Sequence, residues 1–384
     1  MKRTPILLTA ALAAAALACS FSAASGPAAT ETAIAAQVMT QLASQTPNSQ
    51  LQTPSPPPAV TQASNVQPPT SNPPLPAADF TPCSGYNATT PDGQPQQGYG
   101  PWASRLMLAF SDDGLNFTRA NQSLADQADV PDALTTPDGE IRVYFIIMCP
   151  EEVRNQIVVA LSRDAVTWSY KATRLTGVDD LIPMAVDPTV ERTPEGAYRL
   201  YFTSAPRDAG FEGARSYSAL SNDGFTFARE EGERFAADGQ MALDPNVLLI
   251  GDTWHYFAGG VPGSNFHATS ADGLSFTRAD DFAMESILMA NGLAVDGGYR
   301  YYGFVQQRDG SSYIRSLFTT DGVNWTVDPG NRLELDTAAG LESAGVKDPA
   351  VTRLPDGRYM MVYSTIIQGY PTQQPPNPGG PPPP

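Results

Sequence analysis

The chain has 384 residues, of which 41% are hydrophobic, and this is enough for one large folded domain or two ordinary ones. Its formal net charge of -17 argues against nucleic acid and anionic membranes as partners, because both would repel an acidic surface. Its 36 prolines cluster towards the two ends of the chain, so these ends are expected to differ in structure from the middle.

The first 19 residues have the form of a bacterial export signal. Lys2 and Arg3 precede an apolar run over residues 5–18, which is shorter than the about 20 residues that a membrane-spanning helix needs. Residues 16–19 read Ala-Leu-Ala-Cys and resemble a lipoprotein signal, in which the cysteine, here Cys19, is lipidated. We expect a lipoprotein at the cell surface that touches the membrane only through this anchor. The alternative is a secreted protein with an ordinary cleaved signal.

Two proline-rich segments flank the predicted folded domain. Residues 20–80 are rich in Ala, Thr, Ser, Gln and Pro, and they predict a disordered, semi-stiff stalk. Residues 371–384 predict a disordered tail for the same reason. The folded domain is therefore expected over residues 81–370.

Three cysteines limit the covalent and metal chemistry of the chain. If Cys19 is lipidated or removed, Cys83 and Cys149 remain, and an oxidising exterior favours a disulfide between them. Two buried free thiols are the alternative. So few cysteines, with only two histidines, cannot build a Cys/His metal site, although carboxylate sites for calcium stay open. We expect no metal and no cofactor.

One motif recurs along the predicted domain: Ser/Thr-x-Asp-Gly, followed three residues later by an aromatic residue. Its five copies start 49 to 59 residues apart, and Ala165 replaces the glycine in one of them. The copies start at Ser111, Ser162, Ser221, Ser270 and Thr319. Each follows an alternating, strand-like run, so the Asp-Gly turn predicts a β-hairpin. We expect a structural role, with the aspartate capping its own turn and the aromatic ring packing between repeats.

A second motif, Asp-Pro-x-Val, alternates with the first and leads through a turn to an aromatic-rich strand. Complete copies start at Asp187, Asp244 and Asp348, and weaker copies start at Val130 and Met289. The two motifs together predict two hairpins, and hence four strands, in each repeat of roughly 50 residues, which is the pattern of a propeller blade.

The order of the motifs predicts how the propeller closes. The first motif opens the domain at residues 104–119 and the second closes it at residues 348–364, so neither end holds a complete blade. We predict an all-β, five-bladed propeller whose last blade pairs the N-terminal strands with the C-terminal hairpin. This closure removes exposed strand edges. A β-sandwich or a β-solenoid is the alternative, but a solenoid has shorter repeats and a sandwich need not repeat.

The Asp-Pro motif carries carboxylates to one end of the predicted axis. Asp187, Asp244 and Asp348 occupy equivalent positions, and Asp129 and Asp132 flank the corresponding position in the first blade. Converging carboxylates raise one another's pKa, and this can separate a general acid from a general base at one pH. The alternative is a structural role, in which each aspartate caps N–H groups where its strand begins.

Loops on the same face supply further candidates. Glu212 is a catalytic candidate, while Arg207, Arg215 and His267, together with Asp348, are substrate-binding candidates. We place His267 in a loop of the third blade. Each of these charged residues, taken alone, is better explained as an ordinary solvated side chain of a loop.

The motifs over residues 104–364 resemble those of the five-bladed propeller glycosidases of the arabinanase, β-xylosidase, levansucrase and invertase type. The resemblance implies extracellular action on polysaccharide, with a first-blade Asp as base or nucleophile, a second-blade Asp that tunes pKa, and a third-blade Glu as general acid. Carried over, these roles fall on Asp132 (or Asp129), Asp187 and Asp244. The chain departs from the family because its third-blade residue is Asp, so Glu212 is an alternative acid.

The sequence is compatible with three functions. We expect a monomeric, extracellular, carbohydrate-active propeller that hydrolyses a poly- or oligosaccharide with paired carboxylates. The alternative is a non-catalytic surface propeller that binds glycan or protein, because fold does not determine function. A sialidase-like hydrolase is a second alternative, since the Ser-x-Asp-Gly turns are similar to sialidase Asp-boxes, although sialidases have six blades.

Overall fold

The computed structural model describes residues 74–89, 93, 96, 98–261, 263–307 and 310–371. Their regular structure is β-strand, apart from short 3₁₀ turns at Glu151–Val153 and Phe211–Gly213. Among these residues no helix is long and apolar enough to cross a membrane. The predicted signal with Cys19, most of the predicted stalk and nearly all of the predicted tail lie outside the described residues.

The described chain begins with two strands and then forms four complete blades before its last hairpin. The first two strands are β1 (Ser104–Ser111) and β2 (Thr118–Asp126). The first blade contains β3 (Ala128–Thr135), β4 (Ile141–Ile147), β5 (Gln156–Ser162) and β6 (Ser169–Ala172). The second contains β7 (Arg174–Thr176), β8 (Val186–Arg192), β9 (Tyr198–Ser204), β10 (Arg215–Ser221) and β11 (Thr226–Arg229).

The remaining strands complete the propeller. The third blade contains β12 (Leu243–Ile250), β13 (Thr253–Val261), β14 (Ser264–Ser270) and β15 (Thr277–Arg278). The fourth contains β16 (Leu288–Val295), β17 (Gly298–Gln306), β18 (Ser312–Thr319) and β19 (Trp325–Val327). The chain then forms β20 (Val346–Arg353) and β21 (Tyr359–Ile366).

The fifth blade joins the two ends of the domain, as predicted. Its strand order is β2-β1-β21-β20, and β1 pairs antiparallel with β21 from Ser104 opposite Ile366 to Ser111 opposite Tyr359. The innermost strands of the five blades, β3, β8, β12, β16 and β20, contact one another in a closed ring that surrounds the axis. We call the end where these inner strands begin the top face.

The Ser-x-Asp-Gly turns lie at the opposite end and link neighbouring blades. In the second blade, Asp223 Oδ1 accepts the two backbone N–H groups that follow Gly224, at 2.8 and 2.9 Å. The Tyr144 hydroxyl of the first blade donates to the Gly224 carbonyl at 3.0 Å, and the Phe227 ring meets the Tyr144 ring edge-on at 6.2 Å. Gly224 has φ +78°, and a Cβ there would lie 2.7 Å from the Tyr144 hydroxyl, so glycine is required. The predicted structural role of this motif is confirmed.

The segment before the propeller is attached to the first blade. The Asp79 N–H donates to the Tyr170 carbonyl at 2.8 Å, and Phe80 is buried in the core between the fifth and first blades. A disulfide joins Cys83 to Cys149 with a Cα–Cα distance of 5.6 Å, which confirms the predicted pairing. The predicted stalk therefore overlaps the described chain only at residues 74–80, and there the chain packs against the blade.

Candidate active site

The Asp-Pro motif forms a β-bulge at the start of each inner strand that carries it. Asp187, Asp244 and Asp348 have φ values of +55°, +52° and +46°, and the ladder register shifts at each of them. Val130, at the equivalent position of the first blade, has φ +49°. A bulge adds one residue to its strand and re-aims the side chain, and aspartate tolerates the left-handed region better than most residues. The bulges thus carry three aspartates from three blades towards one point on the axis.

These aspartates form one cluster with Asp129 and Lys347, which we call the axial cluster. Asp187 Oδ2 accepts the backbone N–H of Asp244 at 3.2 Å. The Lys347 ammonium group donates to Asp129 Oδ1 at 2.9 Å and also contacts Asp348 Oδ2. The cluster therefore combines four carboxyl groups from the first, second, third and fifth blades with one cation.

Burial and mutual repulsion raise the pKa of three carboxyl groups of the cluster. Burial, with the charges of Asp348 and Asp129, raises the pKa of Asp187 to about 6. Burial and the charges of Asp187 and Asp348 raise the pKa of Asp244 well above its usual range, although Lys347 opposes the shift. Burial also raises the pKa of Asp348, against the opposing effect of Lys347. Such shifts are the means by which a site keeps one carboxyl protonated beside another that is ionised.

The members of the cluster differ in their access to solvent. Asp129, Asp187 and Asp348 are 4%, 9% and 7% exposed, whereas Asp244 is partly exposed. Asp244 is therefore the most exposed carboxyl group of the cluster.

Asp132 lies on the axis but in a different environment. It is 3% exposed; its Oδ2 accepts the Val190 N–H at 2.8 Å, and its Oδ1 accepts an N–H of Asn291 at 3.0 Å. Asn291 Oδ1 in turn accepts the Val351 N–H at 2.8 Å, so this chain of hydrogen bonds joins the first, second, fourth and fifth blades. Burial raises the pKa of Asp132 to about 6. Both oxygens are used in holding blades together, and this geometry favours Asp129 over Asp132 as the first-blade residue of the candidate site.

Within the described part of the chain, Arg207, Arg215 and Glu212 form no hydrogen bond or ion pair with the axial cluster. Arg207 is exposed and donates to the Asp179 carbonyl at 2.9 Å, while Arg215 pairs with Glu233 at 2.6 Å. Glu212 is exposed in the turn between β9 and β10, and within the described part of the chain it makes no hydrogen bond or ion pair to the cluster.

His267 lies in strand β14, so its predicted position in a loop is wrong. Its Nε2 lies 3.2 Å from His255 Nδ1, and its ring stacks on Phe257 with centroids 4.6 Å apart. Burial lowers the pKa of His267 to about 4. His267 is thus partly buried against the apolar cluster between the third and fourth blades. Apolar Phe266 and Ala268 alternate with polar His267 and Thr269, and this alternation is the sequence signal that indicates the strand.

Two residues of the axial cluster, Asp129 and Lys347, have only a weak signal in the sequence. Asp129 is one residue before Val130, where the bulge begins, and Lys347 directly precedes Asp348. Each inner strand thus carries a side chain just before its bulge, and pairing these positions across blades would have brought the two residues together. Among the described residues, no three His, Cys, Asp or Glu side chains are arranged to hold a metal ion.

No protein-family model matches the chain, and no curated protein matches it. Solved structures do match. One is described by the statement that the GH130 family of mannoside phosphorylases contains glycoside hydrolases that target β-1,2-mannosidic linkages in Candida mannan. Its sequence identity to this chain is 14% and the TM-score is 0.47. The match covers 62% of this chain and 83% of that chain. A thermostable family 43 glycoside hydrolase matches at 14% sequence identity, with a TM-score of 0.47. The match covers 65% of this chain and 95% of that chain.

An α-L-arabinofuranosidase from Clostridium thermocellum ATCC 27405 matches at 14% identity over 61% of this chain and 80% of that chain, with a TM-score of 0.45. The similarity to propeller glycoside hydrolases that the motifs predicted is thus present in solved structures too. At these identities and scores it carries no argument about activity, which has to come from the site itself.

Proposed function

We propose that this propeller is a glycoside hydrolase whose reaction takes place at the axial cluster. The observation that carries the proposal is the pairing of Asp244, a carboxyl with a strongly raised pKa, with carboxylates held by Lys347 in the same cluster. Glycoside hydrolysis needs a protonated and an ionised carboxyl on either side of one bond. We further propose that the protein acts outside the cell, as its predicted export signal suggests.

The environment of each carboxyl suggests its role. Asp244 is the general acid, because burial and the charges of Asp187 and Asp348 raise its pKa and so favour its protonated form, and because it is partly exposed. Asp129 is the general base, because it is the first-blade carboxyl of the cluster and the Lys347 ammonium group is its ion-pair partner at 2.9 Å. Its oxygens also accept from Ser104, but a carboxylate has about four lone-pair sites, so it can still accept a proton. Asp187 accepts the Asp244 N–H and its charge helps to keep Asp244 protonated.

The proposed step is a balanced hydrolysis. Asp244 gives its proton to the glycosidic oxygen while the bond between that oxygen and the anomeric carbon breaks. A water molecule bonds to the anomeric carbon and gives a proton to Asp129. The products are two shorter sugars, and solvent returns the proton from Asp129 to Asp244.

The proposal is tested by hydrolysis assays on a panel of aryl glycosides and plant and microbial polysaccharides. The wild-type protein should release sugar, and Asp244→Asn and Asp187→Asn should lower kcat by about 10²-fold or more. Asp223→Asn, the same substitution in a turn at the opposite face, is the matched control and should keep wild-type activity. Equal activity in Asp244→Asn and the control would exclude the axial cluster as the reacting site.

A second candidate is glycan binding without catalysis. The small exposure of Asp129 and Asp348, 4% and 7%, favours it, because a reacting base has to meet water or substrate. Folded wild-type protein that binds glycans but releases no sugar from any member of the panel would support this alternative.

A further inference from the structure

An exposed aromatic surface lies on the top face beside the axial cluster. Tyr86 and Tyr99 are 38% and 40% exposed, although large aromatic side chains in this protein are mostly buried. Their rings lie 5.4 and 6.3 Å from the ring of Tyr370, and we call these three residues the tyrosine platform. Exposed aromatic side chains that are grouped in this way mark interaction sites.

The platform is built as a fixed surface. Tyr370 is 6% exposed; its hydroxyl accepts from Trp102 Nε1 at 3.0 Å and donates to the Gly98 carbonyl at 3.1 Å. The Cys83–Cys149 disulfide ties the segment that carries Tyr86 to the first blade. The two exposed rings are thus held in position before any ligand binds, which lowers the entropic cost of binding.

Two contacts anchor the segments that carry the platform, and the first of them reaches the axial cluster. Ser104 Oγ lies 3.0 Å from both the Gly100 carbonyl oxygen and Asp129 Oδ2, within hydrogen-bond distance of each. The carbonyl oxygen of Gly100, the residue after Tyr99, is therefore at most about 6 Å from Asp129 Oδ2. On the other side, the N–H of Gly85, which precedes Tyr86, donates to Asp126 Oδ2 at 2.6 Å. The backbone next to Tyr99 therefore lies close to the proposed base.

The chemistry of this surface selects among ligands. A tyrosine offers a flat apolar face and a polar hydroxyl, which suits a sugar ring with its C–H face and its rim of hydroxyls. The acidic cluster and the net charge of -17 disfavour anionic polymers. We propose that Tyr86 and Tyr99 form an auxiliary subsite that binds an uncharged, extended oligosaccharide, one part of which lies at the axial cluster. This inference rests on the proposed function and names its substrate class.

Binding to an inactive protein tests the subsite separately from catalysis. In the Asp244→Asn background, calorimetry is run with neutral arabino-, xylo- and manno-oligosaccharides from disaccharide to hexasaccharide, and with acidic galacturonic oligosaccharides. Tyr99→Ala and Tyr86→Ala should each weaken binding of the longest neutral ligand by about tenfold, with a smaller loss for the disaccharide. Tyr99→Phe should retain most of the affinity because it keeps the ring. Val323→Ala, at a 76% exposed residue on the opposite face, is the control and should bind as the parent does.

The outcomes separate the subsite from the reaction. Unchanged affinity in both alanine variants, tighter binding of the acidic series, or no saturable binding of any neutral oligosaccharide would overturn the subsite. Tyrosine-dependent binding in a protein whose wild-type form hydrolyses nothing would support the subsite and contradict the proposed function.

Discussion

Replacing Asp132 with asparagine tests whether this residue holds blades together or takes part in the reaction. In the folded protein its two oxygens accept from the Val190 N–H at 2.8 Å and from Asn291 at 3.0 Å. Asparagine has the same shape but only one oxygen, so one of the two donors would face an NH₂ group. Turning Asn291 around does not help, because its own oxygen accepts the Val351 N–H at 2.8 Å.

The expected cost follows from one buried donor left unpaired, which is about 2 kcal/mol. In a domain of this size such a loss lowers Tm by about 4–6 °C. We would measure thermal and urea unfolding by circular dichroism at pH 5, below the pKa of about 6 that burial gives Asp132, so that the cost of burying its charge does not offset the lost hydrogen bond. We would also measure kcat/KM at a temperature where the variant is folded. We expect reduced stability with activity largely retained in Asp132→Asn. Asp129→Asn should instead lose activity, and it should also lose stability because Lys347 loses one of its ion-pair partners. Wild-type stability with lost activity in Asp132→Asn would show that the assignment of the two residues is wrong.

Three further predictions concern charge, pH and the disulfide. Lys347→Met removes a cation that lowers the pKa of Asp244, so the alkaline limb of the kcat/KM profile should move to higher pH; an unmoved limb would contradict this. Asp132 and Asp187 have pKa values raised to about 6, so both bind a proton more tightly in the folded state than in the unfolded state. The stability that they contribute below about pH 4 should therefore be lost as the pH rises through 6. Urea unfolding at a series of pH values measures this loss. Cys149→Ser opens a crosslink between residues 66 apart and should cost about 4 kcal/mol in urea unfolding; a loss below 1 kcal/mol would contradict the loop-entropy argument.

The blade repeat and its closure could be predicted because both depend on local patterns. Each Asp-Gly turn determines a hairpin within a few residues, and the order of the two motifs leaves a half-blade at each end. A half-blade has an unpaired strand edge, so pairing β1 with β21 is the solution that physics favours. The Cys83–Cys149 pairing was predictable because exclusion of Cys19 left one combination.

The details of the site depend on contacts between residues that are distant in the sequence. Asp129 and Asp132 flank the same bulge and cannot be distinguished by spacing, yet one meets Lys347 and the other meets Asn291, which is 159 residues away. The platform depends on Tyr370 packing beside Tyr86, across the whole length of the domain. No local pattern reports such contacts, because the propeller ring creates them when it closes.

A crystal structure of Asp244→Asn with the tightest-binding neutral oligosaccharide would decide whether the axial cluster is the reacting site. We expect the ligand on the top face, with one glycosidic oxygen within hydrogen-bond distance of the residue 244 side chain and a water molecule or anomeric carbon next to Asp129. A ligand bound elsewhere, with the axis closed by protein side chains, would contradict the proposed mechanism and leave the aspartates with a structural role.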